Sequence, residues 1–342
     1  MTKSIYRSKA PLRIGLAGGG TDVSPYSDLY GGAILNATVS LYAYANIEPV
    51  EEKTILLQTM DRQEEQQFDW SRELPIDGKL DLLKGVYNRI QKQYGMPETG
   101  FKLSTFVDAP AGSGLGTSST LVVAIVGAFA EMLRLPLGEY DVAQLAYEIE
   151  RSDLAMAGGK QDQYAATFGG VNYMEFHGDN VVVNPLRIKQ QYLFELENNL
   201  VLYYTATSRE SAKIIEKQSA NVVGKKEKPI DAMHQLKRQA QLMKEALLKG
   251  RLHEIGEILD FGFQQKKQMA EGISNNLMDE IYEAAKKAGA TGGKISGAGG
   301  GGFMTFYCPA NTKYKVIERL NAFGGFVKNY QFVDHGLTSW SI

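Results

Sequence analysis

Over the first hundred residues the apolar positions come in short β-prone runs, at 12–17, 45–50, 54–59 and 101–107, parted by glycine, proline and charge. That punctuation predicts strands. The period changes at 81–94, where Leu82, Val86, Tyr87 and Ile90 recur at helical spacing and Gly95 with Pro97 supplies a stop. Val122, Ile125, Val126, Phe129 and Leu133 mark a strongly apolar helix, predicted to begin just after a loop at Gly112, and a further helix covers about 139–151. Strand patterns return at 171–176, 181–183 and 200–205. Beyond them the chain reads as helical: Thr207 with Glu210 forms a capping-box pair, and helices are predicted near 231–249, 252–270 and 277–288. Strands at 303–308 and 326–333 flank a last helix around 313–323. The whole predicts an α+β protein of two domains, 1–190 and 191–342, with the boundary near 185–199.

Length supports that division, because 342 residues exceed the usual size of one hydrophobic core. A formal charge of −2 with no strongly basic stretch argues against a nucleic-acid partner. The single cysteine, Cys308, lies in the apolar run 303–308 and is expected to be a core residue in a reducing compartment. The start is polar and basic, and no apolar run nears the roughly 20 residues that span a bilayer. A cytoplasmic protein with no membrane partner is the expectation. The 36 glycines are clustered rather than periodic, which points to loops where backbone must approach something closely.

Four clusters carry candidate chemistry. Pro110-Ala111-Gly112-Ser113-Gly114-Leu115-Gly116-Thr117-Ser118-Ser119-Thr120 lies between a predicted strand and the apolar helix. Glycines there let successive N–H groups turn toward one anion, hydroxyls add donors, and the helix N-terminus favours phosphate. The lysine of a Walker loop is missing. A second run, Gly292 to Gly302, contains a dinucleotide-like pattern at Gly297, Gly299 and Gly302, but it leads into a strand instead of opening a helix, so a Rossmann reading fails. Its density suggests backbone approaching the other loop or bound phosphates. In the third, a strand carrying Arg13 leads through Gly18-Gly19-Gly20-Thr21 to Asp22, placed either to accept hydrogen bonds from vicinal hydroxyls or to cap a turn. In the fourth, Gly158-Gly159-Lys160-Gln161-Asp162-Gln163-Tyr164 sets a carboxylate near a lysine after a double glycine. Upstream, Glu150 ends a predicted helix, where the dipole disfavours a carboxylate unless a cation compensates.

Taken in order, Pro-x-Arg, Pro-x-x-x-Gly-Leu-Gly-x-Ser-Ser and the late Gly-Ala-Gly-Gly-Gly-Gly resemble the motifs of the GHMP kinase superfamily across the whole chain. The resemblance implies a two-domain GHMP kinase fold, an N-terminal domain like domain 2 of ribosomal protein S5 and a ferredoxin-like C-terminal domain, with the active site between them. It implies ATP and Mg2+ as cofactors and a sugar or sugar phosphate as substrate. Asp162 then matches the catalytic aspartate and Arg13 its basic partner. The nucleotide-binding residues become Pro110, Gly112, Ser113, Gly114, Leu115, Gly116, Thr117, Ser118 and Ser119. Glu150 matches the magnesium-binding glutamate, with Ser118, or Ser119 one position on, as hydroxyl ligand. Gly20, Thr21 and Asp22 fall on the substrate side with Gly297, Gly299 and Gly300. Gly18-Gly19-Gly20-Thr21-Asp22 departs from the galactokinase pattern, and together with Gly159 to Ala165 and Thr207-Ser208-Arg209 it is most similar to the D-glycero-D-manno-heptose 7-phosphate kinases. That group phosphorylates an anomeric hydroxyl, and its substrate needs a basic anchor, for which Lys160 and Arg209 are the candidates. A fucokinase-like enzyme and a non-catalytic sugar-binding regulator are the alternatives.

Overall fold

The computed structural model describes residues 4–207 and 211–342. Its first unit is built on β1 (Tyr6–Ala17), α1 (Tyr26–Tyr30), β2 (Gly32–Val50), β3 (Thr54–Thr59), β4 (Glu64–Asp69), α2 (Asp81–Tyr94) and β5 (Gly100–Val107). It continues through α3 (Thr117–Leu133), α4 (Glu139–Glu148), α5 (Gln161–Phe168), β6 (Val171–His177) and β7 (Asn180–Pro185). β2 organises the sheet: β1 runs along one edge, while the other edge takes β6 at its start and β5 at its end. Only the second half of β2 shows a period of two, with Leu41, Ala43, Ala45 and Ile47 turned inward. Its first half is buried on both faces and includes Asn36, whose amide nitrogen donates to Met174 Sδ, and Thr38, whose hydroxyl donates to Gly170 O and Val333 O. The alternation that would have marked it as a strand is therefore absent.

α3 is buried over most of its circumference, as its unbroken apolar composition requires, and packs across β1 and β2. It begins at Thr117 rather than just after Gly112. Gly112, Gly114 and Gly116 hold φ of 70°, 84° and 79°, a left-handed conformation that no helix continues. The helix expected over 139–151 also differs: α4 stops at Glu148 and the chain widens into one π turn, Ile149–Asp153.

The second unit holds α6 (Gln190–Asn199), β8 (Leu200–Tyr204), α7 (Ser211–Val223), α8 (Glu227–Lys249), α9 (Ile255–Met269), α10 (Asn276–Ala288), β9 (Gly292–Ile295), β10 (Phe303–Tyr307), α11 (Lys313–Leu320) and β11 (Phe326–Val327). Its antiparallel sheet has the order β11-β8-β10-β9, the arrangement of a ferredoxin-like unit. Cys308 is buried in that unit's core beside Met278, Ile281 and Phe306, and burial pushes its thiol up to about 12. The helix α6 occupies the stretch that the pattern left as a boundary.

The strand expected over 326–333 is only two residues long. After β11 the chain leaves the second sheet, bonding Val333 N to Thr38 O at 3.1 Å, and β12 (Thr338–Ser341) pairs with β1. The last residues thus close the first sheet, although a division at residue 190 would group them with the second unit. Glu210, half of the expected capping pair, lies outside the described residues, as does Arg209. Among the described residues no helix is long and apolar enough to cross a membrane.

Candidate active site

A cleft of about 410 Å³ opens where the turn after β1, the loop between β5 and α3, the start of α5, and residues of α7, α9 and the β9–β10 loop converge. The loop side is built by alternation. Gly112, Gly114, Gly116, Thr117, Ser118 and Ser119 line the cleft, while Ser113 and Leu115 are fully buried beneath it. Their backbone carbonyls hold the loop down: Ser113 O accepts from Phe303 N at 2.8 Å and Leu115 O from Arg13 N at 3.3 Å. Pro110 is exposed at the edge. Two of these glycines leave room for the partners that complete the cleft, a side chain colliding at the first and crowding its neighbour at the second. A Cβ on Gly114 would stand 2.7 Å from Ser296 O, and one on Gly116 would stand 3.0 Å from Cγ of Asp162.

Asp162 sits in the first turn of α5, and Arg13 reaches it from β1. The guanidinium donates to Oδ1 from Nε at 2.8 Å and from a terminal nitrogen at 2.6 Å, and also to Gly114 O on the phosphate loop. Gln161 Nε2 donates to the same oxygen at 3.2 Å. One arginine therefore fixes the carboxylate and the loop relative to each other. Asp22 lies nearby, its Oδ2 accepting from Gln161 N at 3.0 Å. Burial pushes its carboxyl above the usual carboxylate range, with neighbouring Asp162 adding to the effect. The close approach needs Gly159, since a Cβ there would stand 1.9 Å from Asp22 Oδ2.

Glu150 emerges from the π turn with 1% of its surface exposed and faces the cleft. Gln163 Nε2 donates to its Oε2 and to Ser119 Oγ, and Arg151 lies 3.8 Å away. Burial pushes this carboxyl up, while Arg151, Ser119 and Gln163 oppose the shift. Ser119 is buried against Gln163 and beside Glu150, while Ser118 is half-buried and the more exposed of the two. Among the described residues no three carboxylate, histidine or cysteine groups converge on one point. A hard cation held here would draw on the Glu150 carboxylate, a serine hydroxyl, water and phosphate oxygens, the mixed donor set that suits magnesium.

The other expected substrate residues divide. Gly20 and Gly297 line the cleft. Thr21 does not: its hydroxyl is buried between Gly18 O and Ala33 O at 2.9 and 3.0 Å and fastens the turn. Gly299 and Gly300 pack on Ile273 inside the second unit, with Gly300 N donating to Ile273 O at 2.8 Å. Lys160 is also misplaced by the sequence reading. It is buried outside the cleft, its ammonium on Gly178 O and over the Tyr147 ring. Besides Arg13 and Arg151, the cations that reach the cleft are Lys266 on α9 and Lys294 on β9, to neither of which the sequence assigned a role. Lys266 falls on the apolar stripe Leu259, Phe263, Met269, and a charge on a buried helix face is a legible signal of function.

Comparison with known proteins identifies the family. The profile of the GHMP kinases N terminal domain matches residues 81–170, and that of the GHMP kinases C terminal matches residues 243–325. A D-glycero-alpha-D-manno-heptose 7-phosphate kinase of Campylobacter jejuni is 47% identical over 98% of this chain and 99% of its own length. The crystal structure of a D-glycero-D-manno-heptose 1-phosphate kinase from Bacteroides thetaiotaomicron superposes with a TM-score of 0.84 at 48% identity, covering 98% of this chain and 99% of that one. The mevalonate kinase of Methanococcus jannaschii, at 18% identity and a TM-score of 0.77, covers 96% of this chain and 98% of its own and shares the fold. This chain belongs to the GHMP kinase family and is an ATP-dependent phosphotransferase.

Proposed function

We propose that the cleft transfers the γ-phosphoryl group of ATP to the anomeric hydroxyl of D-glycero-D-manno-heptose 7-phosphate, giving the 1,7-bisphosphate used for nucleotide-activated heptose. The observation that carries the reading is the position of Asp162, between the phosphate loop at Gly116 and the acceptor-side carboxylate of Asp22. The identity of the sugar follows the heptose phosphate kinases to which the chain is similar.

Phosphoryl transfer depends mainly on positioning and on neutralising charge. The loop N–H groups and the α3 N-terminus hold the phosphates, and Asp22 accepts from sugar hydroxyls. Asp162 orients the anomeric hydroxyl and accepts its proton as the oxygen–phosphorus bond forms and the bond to the β–γ bridging oxygen breaks, releasing ADP. Arg13 holds that carboxylate aimed, with two nitrogens on Oδ1. Glu150 and Ser118 would hold Mg2+, which when bound offsets charge on the terminal phosphates.

The two similar kinases are named for different phosphates, at position 7 and at position 1, so ADP release should be measured with both heptose phosphates, with unphosphorylated heptose and with fucose. Turnover of the 7-phosphate well above the others is expected. Turnover of fucose with none of a heptose phosphate would replace the reading with a fucokinase. Binding of ATP and sugar without ADP release across the panel would leave a sugar-binding regulator.

A further inference from the structure

Lys266 and Lys294 are 4% and 6% exposed, and among the described residues neither has a carboxylate within ion-pair distance. Each ammonium donates to one backbone carbonyl: Lys266 to Gly297 O, and Lys294 to Gly15 O at 2.7 Å. Lys84, another buried lysine, shows what compensation ordinarily looks like, with Asp77 at 2.5 Å and Asp81 at 3.0 Å. A single carbonyl offsets little of the cost of burying an ammonium. Both lysines line the cleft and feel the positive charge of Arg13, which for Lys266 is opposed by the carboxylates of Asp22 and Asp162 beyond ion-pair distance. Such an arrangement is costly alone and becomes favourable when an anion enters.

The position of the two lysines selects which anion. The phosphates of ATP already have the loop N–H groups and the helix N-terminus on the opposite wall. Lys266 instead comes from α9 against the acceptor turn, its Nζ standing 3.8 Å from a Cβ built on Gly19. Lys294 comes from β9 against Gly15, beside the Gln161 side chain. We infer that Lys266 and Lys294 together form the subsite for the phosphate monoester already carried by the sugar, the role for which the sequence suggested Lys160 and Arg209. This rests on the proposed function, because it deepens the specificity of the same cleft. Lysine suits the task as a compact charge that grips a phosphate without fixing a planar geometry.

The test uses Lys266→Met, Lys294→Met and the conservative Lys266→Arg, with thermal melting to establish that each folds. For each methionine variant the KM for heptose 7-phosphate should rise about 10- to 100-fold, the range of one lost charged contact, while the KM for ATP and the kcat/KM for unphosphorylated heptose change little. Lys266→Arg should recover much of the loss. Equal losses with phosphorylated and unphosphorylated heptose would overturn the inference, as would a fall in kcat at unchanged KM, which would move the lysines to the phosphoryl group in transfer. Inorganic phosphate titrated by calorimetry into the ADP-saturated protein gives a second readout. Binding by wild type that disappears in both methionine variants is expected even if the heptose assignment fails, and unchanged binding would overturn the subsite. If wild type turns over heptose 7-phosphate and the variants match it, the subsite alone is wrong.

Discussion

Arg13 places two nitrogens on one oxygen of Asp162, at 2.8 and 2.6 Å, and leaves Oδ2 beside Gly116 of the phosphate loop. A carboxylate held on one oxygen and free on the other is suited to receive a hydroxyl proton in a fixed direction. Asp162→Asn should therefore lower kcat by about two to four powers of ten, the range for a positioned base, with the melting temperature nearly kept. Steady-state rates and a thermal melt check this together, and near-normal turnover would remove Asp162 from the mechanism.

Asp22 depends on a missing side chain. Gly159→Ala would put a methyl group 1.9 Å from Asp22 Oδ2, so the carboxylate must move away from the acceptor turn. We expect the KM for the sugar to rise about tenfold or more and the KM for ATP to stay near its wild-type value. Kinetics varied in each substrate separately distinguish this from a general disruption, which would raise both.

Lys160 should behave as a structural residue. Its ammonium holds the Gly178 carbonyl and covers the Tyr147 ring, so Lys160→Ala should cost about 1–3 kcal/mol of stability while leaving the KM for the sugar unaltered. Denaturant unfolding gives the first quantity. A large rise in sugar KM in a stable variant would return Lys160 to the binding site.

These outcomes also show what the sequence made legible. The loop before α3, Arg13, Asp22 and Asp162 are singled out by local motifs, and the fold brings them to one cleft. Lys160 misled because it lies two positions from Asp162 in sequence, yet residues two apart at the start of a helix point to different sides. Lys266 is marked by its place on the apolar stripe of α9, although nothing local says what that face meets, whereas Lys294 was overlooked because it reaches the cleft from β9 through packing that no local spacing records. The first half of β2 and the closing strand β12 escaped for the same reason. Asn36 and Thr38 are buried by partners far along the chain, and β12 is only four residues whose pairing lies at the opposite end.

Burial lowers the Lys266 ammonium to about 8, with Arg13 acting in the same direction and Asp22 and Asp162 opposing. At this site the unfolded chain therefore binds more protons than the folded one between about pH 8 and the ordinary lysine range near 10, so the contribution of Lys266 to stability rises with pH across that window. Lys294, lowered by burial and by Lys266 and Arg13, acts with the same sign. Thermal melts of the free protein and of Lys266→Met should show wild type gaining stability relative to the variant as pH rises across this window, since the groups raised by burial, such as Cys308, are common to both. A difference that falls across the window would contradict the shift assigned to Lys266.

The most direct test of the account is the product itself. Purified protein, ATP, Mg2+ and D-glycero-D-manno-heptose 7-phosphate should give, by phosphorus NMR, a second monoester signal coupled to the anomeric proton, with one ADP formed for each. Retention of a single sugar phosphate signal with ATP unconsumed, or a new ester at any carbon other than the anomeric one, would contradict it.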